Sequence, residues 1–416
     1  MGAGGMCILG TLFPASRPCR FSHAIRTQIW RCLAHQRALG VRIELNVSRW
    51  INESSLSMSE FLCHRPSENL FERDPMRDIE HLQIMLERKR RAFARKYCLH
   101  PKAPVGCSRK IAAAHSVQRA ILKEHIARGG HVVQIKASVH VEPVGMLWAP
   151  ERVGVNEATT FFGFCATHDA ELFRPLESSA FCFERDQIAL LGYRAVCREL
   201  YQKQAEIASA EAVRSYVTVN PRIIGLEAKL RRDDALRMGR INAQINLMNA
   251  RNAYCSMISD TTQLRYYAVE FTSPPVCLCS VAFLPEWDFE GRCLQDLRFV
   301  EEFKPICFSA WASGDRAAAV FCWHESADSI CVPFVDSLRR IPRDRIANRI
   351  LAMAFEFSEN VVFREDWWES ISETDRQRIV ARAPSGVGDF ERVAGCLADD
   401  GLSAISSEIK DEHIGY

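Results

Sequence analysis

Three cysteines and one histidine, placed as two pairs far apart in the chain, constrain the fold more than any other sequence feature. Cys98 and Cys107 are separated by eight residues, and Cys165 and His168 form a CxxH pair. Zinc in proteins takes four such ligands in a tetrahedron. If the two pairs bind one ion, the segments that carry them must meet in space. The spacing therefore predicts a Cys/His metal-binding module over residues 76–182, with zinc as its ion.

The CxxH pair is the more specific half of the predicted site. At the start of a helix, this spacing lets a thiolate and an imidazole face one ion from a tight turn. The first pair has a longer loop than is usual, although Pro101, Pro104 and Gly106 suit a knuckle-like bend. The alternative is that these residues are two unrelated buried thiols and a surface histidine. The sequence leaves that alternative open.

Composition places the chain among ordinary globular proteins. Of its 416 residues, 48% are hydrophobic and 25% are charged, and 53 basic residues balance 51 acidic ones. At this length we expect two or three domains, and a polyanion site would need local clustering of charge. The 17 cysteines lack the regular spacing of a secreted disulfide scaffold, so we predict reduced thiols and a cytoplasmic location. No apolar run approaches the ~20 residues that cross a bilayer, so we expect no membrane insertion.

The beginning of the chain has an unusual charge pattern. Its first 43 residues contain several arginines and no acidic residue. That pattern is typical of a transit peptide. We favour another interpretation, in which residues 1–75 are a poorly ordered extension, or in which the true start is Met58 or Met76. The fold prediction therefore excludes this segment.

Hydrophobic periodicity predicts an α+β fold with three parts. These are a small zinc-stabilised module, a long helical hairpin, and an antiparallel β-sheet with flanking helices. The pattern switches from helical spacing to period two at Leu264, and Ser313, Gly314 and Asp315 form a hairpin turn. The predicted division is a 1–75 extension, a 76–182 metal-binding module, a 183–260 helical hairpin, a 261–384 α+β domain and a 385–416 peripheral tail.

Several shorter patterns give local expectations. The helix predicted after Met76 carries a basic run from Arg88 to Arg95, which can contact phosphates but is more often a solvated face. Ser116 is a suitable N-cap for a helix that runs to about Arg128. Residues 131–144 alternate and predict one or two strands, with a loop after them. The apolar segment SICVPF, residues 329–334, predicts a further strand.

His115 and Asp169 are the candidate catalytic residues. His115 lies at the entrance of the predicted helix. The sequence allows three roles for it: a general base, a fifth metal ligand, or a polar residue that closes the helix turn. Asp169 follows the CxxH pair and, with Glu177 and a histidine, could hold a hard cation such as magnesium. Carboxylates at a helix start are more often partners of the helix dipole. These interpretations stay open.

The strings CSRKIAAAHSVQRAIL and ATTFFGFCATHDAELFRPLE resemble an uncharacterised group of bacterial proteins. The shared pattern is a cysteine pair, an AHS motif, GFCxxHD and LFxxIE, and it covers about residues 95–200. The layout is also similar to HNH endonucleases, whose zinc-stabilised ββα-metal module holds a general-base histidine near the second cysteine. The resemblance implies a treble-clef-like module, in which His115 takes the base position and His168 is the late histidine.

The chain departs from the HNH pattern in three respects. Ala114 precedes His115, where HNH enzymes place a metal-binding Asp or His. The middle Asn of the pattern is displaced, since Asn156 lies twelve residues before His168. His115 is also predicted to lead into a helix, whereas the HNH histidine lies on a hairpin strand. The leading hypothesis is a zinc-binding, HNH-like protein that binds or cleaves DNA or RNA, in one version as a metal-dependent endonuclease. The alternative is a non-catalytic interaction protein with a protein partner, in which zinc is purely structural.

Overall fold

The computed structural model describes residues 75–141, 144–219, 226–298, 300, 302–383 and 394–416. The interpretation of the first 74 residues as an extension concerns a segment outside these ranges. Described residues up to Ser138 and from Met146 onward belong to one compact unit. The mixture of helices and antiparallel sheets confirms the predicted α+β class.

The described strands form one large sheet and one small pair. They are β1 (Ile111–His115), β2 (His131–Val141), β3 (Val144–Gly154), β4 (Thr160–Cys165), β5 (Leu264–Phe271), β6 (Cys277–Phe283), β7 (Ile306–Ser313), β8 (Arg316–His324), β9 (Val362–Phe363) and β10 (Ile409–Gly415). The large sheet has the order β10-β5-β8-β7-β6-β9-β2-β3, and β1 pairs with β4. Gly314, with φ +58°, forms the tight turn between β7 and β8 that the sequence predicts. The tail, predicted as peripheral, supplies the edge strand β10.

The helices flank the large sheet. They are α1 (Pro75–Phe93), α2 (Arg119–Ile121), α3 (Ala166–Leu172), α4 (Arg174–Glu177), α5 (Arg185–Thr218), α6 (Leu226–Ser259), α7 (Asp328–Arg339), α8 (Arg343–Phe357), α9 (Glu365–Ser370) and α10 (Glu373–Arg382). The long helices α5 and α6 lie where the sequence predicts a helical hairpin, and they pack on each other. Within the described ranges, no helix combines the length and the apolar character needed to cross a membrane.

Both faces of the large sheet are covered, and β8 shows how the sequence achieves this. Val320 and Cys322 pack into the cluster that contains α5, whereas Phe321 and Trp323 pack into the cluster that contains α7 and α8. Successive side chains of a strand point to opposite faces. A sheet buried on both faces therefore needs continuous apolar strands instead of an alternating pattern. The result is a layer of helices on each side of the sheet.

Helix α5 joins the sheet to the metal-binding module. Residues 187–198 are all buried, as expected for a helix with protein on every side. Gly192 allows the close approach of the sheet and of α6. A Cβ atom at this position would overlap the ring of Tyr254 and lie 2.8 Å from Sγ of Cys322.

We expect Gly192→Ala to lower the free energy of unfolding by about 1–3 kcal/mol or more, because the added methyl group overpacks a closed core. Gly239→Ala on α6 is the matched control, since an added Cβ there meets no atom within 4 Å. We expect that control to be neutral or to gain up to about 1 kcal/mol from helix propensity. Urea titration of both variants measures the difference, and equal stabilities would contradict the close approach.

The predicted strand at residues 329–334 is wrong, because this segment lies in helix α7. Cys331, Phe334, Val335 and Leu338 are buried there. Their spacing of three and four residues places them on one helix face. A short apolar run cannot be assigned to strand or helix by its hydrophobicity alone.

The predicted role of Ser116 as a helix cap is also wrong. Its side chain is buried, and Nδ2 of Asn360 donates a hydrogen bond to its Oγ at 3.0 Å. The helix begins at Arg119, has no side-chain cap, and ends in a π-helical turn at Ile126. His115 is the last residue of β1 and does not lead into a helix. The loop expected after residue 144 is the strand β3.

Candidate metal centre

The metal-binding module is built around strand β4. Strand β1 pairs antiparallel with it, from Ile111 opposite Cys165 to His115 opposite Thr160. The backbone N–H of Leu99 also donates to the carbonyl of Gly163 in β4, at 2.8 Å. Helix α3 follows β4 without a loop. This arrangement brings the segment before β1 to the end of β4 where α3 begins.

The four predicted ligands converge at that end. The ligand atoms of Cys98, Cys107, Cys165 and His168 all lie within 4.8 Å of one another. Nδ1 of His168 is 3.5 Å from Sγ of Cys98 and 3.5 Å from Sγ of Cys107. A tetrahedral zinc ion, with bonds of about 2.3 Å to sulfur and 2.0 Å to nitrogen, separates those atoms by about 3.5 Å. The group could therefore hold a metal ion such as zinc.

The first turn of α3 positions the CxxH pair. Cys165 is the N-cap of this helix, and the backbone N–H of His168 points at its Sγ at 3.5 Å. Both side chains are buried, with exposures of 0% and 4%. Burial raises the pKa of the Cys165 thiol, but hydrogen bonds from His168 and Ser108 outweigh it and lower that pKa to about 7. The helix start thus favours a thiolate at this position.

The loop between the first two cysteines folds against His168. Two backbone hydrogen-bonded turns, His100–Ala103 and Lys102–Val105, make this loop compact. Gly106 has φ +75°, and a Cβ atom there would lie 3.2 Å from Nε2 of His168. Glycine is therefore needed for its backbone conformation and for the space it leaves. The eight-residue loop is longer than the usual loop of a zinc knuckle, but it places the thiols of Cys98 and Cys107 at the site.

The neighbouring thiols disfavour the ionisation of Cys107. Burial, together with the neighbouring Cys98 and Cys165, raises the pKa of Cys107 to about 11. A divalent cation among the sulfur atoms reverses this effect, because a coordinated thiol is deprotonated. The chemistry of the donor set therefore fits a resident zinc ion.

Residues outside the sequence pattern support the site. The hydroxyl of Tyr193 donates to the carbonyl of Leu99 at 2.8 Å, and Arg251 donates to the same oxygen through Nε at 3.0 Å and Nη2 at 2.6 Å. The ring of His100 stacks on His168 with centroids 3.8 Å apart. Burial and the neighbouring His168 lower the pKa of His100 to about 4, so it stacks as a neutral ring. The sequence pattern marks none of these three residues, since helical periodicity does not distinguish Tyr193 or Arg251 from other helix positions.

His115 lies outside the group of four ligands, at the end of β1. Its Nε2 is 2.9 Å from the carbonyl oxygen of Val155. Burial lowers the pKa of His115, and the positive charges of Arg119 and Arg194 act in the same direction. The contact with Val155 and the charge of Glu177 oppose that shift. The imidazole is therefore neutral at neutral pH and has a nitrogen that can accept a proton.

Asp169 and Glu177 lie near a buried guanidinium. Nη2 of Arg194 donates to Oε1 of Glu177 at 3.0 Å, and the guanidinium lies 3.8 Å from the ring centroid of Phe173. Burial raises the pKa of Asp169, and the charge of Arg194 opposes the shift. Across the described ranges, the Cys98 group is the only set of three or more Cys, His or acidic side chains placed to hold a metal ion. Asp169, Glu177 and a histidine form no second set there.

The fold and the site define an α+β protein with a three-cysteine, one-histidine group that could hold a metal ion. No protein-family model, curated protein or solved structure matches the chain.

Proposed function

We propose that the chain is a zinc-binding, HNH-like protein that binds or cleaves nucleic acid. The observation that carries the proposal is the position of His115 relative to the ligands. His115 lies at one end of the β1/β4 pair, and Cys165 lies at the other end. The chain order supports it: two thiols, a strand that ends in histidine (β1), its partner strand (β4), and Cys165 and His168 at the start of a helix. A zinc-stabilised, treble-clef-like ββα module has the same order, although here α2, β2 and β3 lie between the two paired strands.

In the catalytic version, His115 acts as the general base. The contact between its Nε2 and the carbonyl of Val155 fixes the ring. His115 takes a proton from water as the water oxygen bonds to phosphorus, the phosphodiester P–O bond breaks, and solvent protonates the leaving oxygen. Nη1 of Arg119, which donates to Oδ1 of Asn156 at 3.2 Å, is a positive group close to this position. The negative charge that develops on the phosphate would face it.

Zinc has a structural role in this proposal. Bound by Cys98, Cys107, Cys165 and His168, it ties the segment before β1 to the start of α3. A catalytic magnesium ion gains no support, because Ala114 offers no ligand and Arg194 already supplies the positive charge beside Asp169 and Glu177. The proposed reaction therefore depends on the side chains of the chain itself.

The alternative function is a non-catalytic interaction protein in which zinc is purely structural. Ala114 favours it, because the metal-binding residue of HNH enzymes is missing at this position. The lack of a second metal-binding set among the described residues favours it too. In this version the module only stabilises a surface for a protein partner.

Electrophoretic mobility shift over a salt series tests the proposal. We expect DNA or RNA to be retarded at low salt, with an affinity that falls linearly in a plot of log K against log salt. Unlabelled peptide nucleic acid of the same sequence, which is uncharged, is the control competitor, and we expect it not to displace the labelled strand. Cleavage products in the same reactions identify the catalytic version. Absence of any shift at low salt contradicts nucleic-acid binding and leaves the alternative.

A further inference from the structure

A basic run occupies the C-terminal half of α1 and the residues after it. Between residues 88 and 96, six of nine residues are Arg or Lys, and none is acidic. The helix dipole favours a cation in the last turn of a helix, which accounts for one or two of them. The remaining cations need another explanation.

Three arginines of this run line a groove between α1 and α5. The groove has a volume of about 690 Å³, and Arg88, Arg91 and Arg95 line it together with Ala208 and Ala212 of α5. Arg88 and Arg91 are three residues apart and share one face of α1, whereas Arg95 follows the end of this helix at Phe93. The small alanine side chains on the opposite wall keep the groove open.

The groove carries a net positive charge that is accessible to a ligand. Glu87 is the acid that lines it, and this residue pairs with Arg90 at 3.4 Å and with Arg91 at 3.0 Å. The side chains of Arg90 and Arg91 remain 81% and 78% exposed. Exposed ion pairs of this kind are weak, so an incoming anion can replace them. Arg88 is fixed instead, because its Nη1 donates to the carbonyl of Ala212 at 3.1 Å.

The groove leads directly to the metal-binding module. The hydroxyl of Tyr201 on α5 donates to the carbonyls of Phe93 and Arg95, at 2.6 and 2.9 Å, which fixes the end of the basic run. Cys98 follows three residues after Arg95. A polymer bound along the groove therefore contacts the segment that supplies the first zinc ligand.

We infer that this groove binds the phosphate backbone of a nucleic-acid strand through Arg91 and Arg95, an inference that rests on the proposed function. Guanidinium groups match phosphate oxygens with paired hydrogen bonds. A nucleic-acid strand carries one charge per ~3.4 Å, so it offers a phosphate to each arginine along the groove. The phosphates of a nucleic-acid strand are regularly spaced, whereas the carboxylates of an acidic polypeptide are not. Guanidinium groups along one groove therefore match the nucleic-acid strand better.

The double variant R91Q/R95Q tests the assignment. Its affinity for a fluorescein-labelled single-stranded oligonucleotide is measured by anisotropy, from about 50 to 200 mM salt. Loss of two phosphate contacts is expected to reduce the magnitude of the log K against log salt slope by about 1.4, with weaker binding at low salt. The matched control is R340Q/R343Q, which removes the same charge from two arginines paired with Glu290 and Glu412. We expect the control to keep the wild-type slope.

The outcomes separate this inference from the proposed function. If the wild type binds and R91Q/R95Q has the same slope as the control, the groove assignment is overturned while nucleic-acid binding stands. If the wild type binds no oligonucleotide, both are overturned. If polyglutamate of equal charge binds as tightly and loses affinity in R91Q/R95Q to the same extent, the groove belongs to acidic polypeptides and the assignment is again overturned. Unchanged circular dichroism and zinc content establish that the variant is folded.

Discussion

Cys165→Ser is expected to remove bound zinc and to unfold the metal-binding module. The thiol is fully buried and is one of four converging ligands, and it also caps helix α3. Structural zinc sites contribute about 10–16 kcal/mol of apparent binding free energy, which becomes folding free energy of the segments they tie together. A serine hydroxyl does not ionise at neutral pH and is a poor zinc ligand. We therefore expect a loss of several kcal/mol and a metal content that falls from one zinc per chain to a small fraction.

Plasma mass spectrometry measures the metal content, and limited proteolysis around residues 98–115 reports the unfolding. Cys182→Ser is the matched control, because that thiol is exposed and lies outside the ligand group. We expect the control to keep its zinc and its protease resistance. Zinc retained by Cys165→Ser with wild-type affinity would contradict the assignment of this site.

The four residues of the candidate metal centre could be predicted because the chemistry of the CxxH pair is local. A CxxH pair at a helix start needs only one turn of backbone, so its spacing is visible in the sequence. The supporting residues Tyr193 and Arg251 were not predictable, because they reach the carbonyl of Leu99 from helices about a hundred or more positions away. Such contacts depend on how the helices pack, and a single sequence does not contain that information.

The large sheet was predicted better than the strand that carries His115. From Leu264 onward, apolar runs are separated by clear turns, and both faces of the sheet are buried. The residues of β1, IAAAH, are instead rich in alanine, which favours helices. Pairing with β4 overrides that propensity. The predicted helical setting of His115 was wrong for this reason.

A buried polar network attaches the strand that carries His115 to the large sheet. Nδ2 of Asn360 donates to Oγ of Ser116 at 3.0 Å and to the carbonyl of Ser280 at 2.9 Å. All three residues are buried. Because buried polar groups need partners, this network specifies one position for the end of β1. The position of His115 thus depends on the sheet as well as on the metal-binding module.

His115→Ala is expected to lower the cleavage rate by about 10²–10⁴-fold, the usual contribution of a general base. It should not release zinc, because the side chain lies outside the group of four ligands. The wild-type rate should rise with pH and then reach a plateau. Burial holds the pKa of His115 below its ordinary value of 6.5, so the neutral, proton-accepting form persists below that pH. Rates of oligonucleotide cleavage at saturating protein, measured from acidic to neutral pH, give both the loss and the profile.

His131→Ala is the matched control for His115→Ala, because His131 is an exposed histidine that contacts the backbone of Gly129. We expect this control to keep the cleavage rate, the pH profile and the zinc. Undiminished cleavage by His115→Ala would remove the proposed mechanism. Loss of cleavage together with loss of zinc would assign His115 a structural role, because a general base outside the ligand group has no influence on metal content. Loss of cleavage with zinc and oligonucleotide binding both retained is the result that the position of His115 predicts.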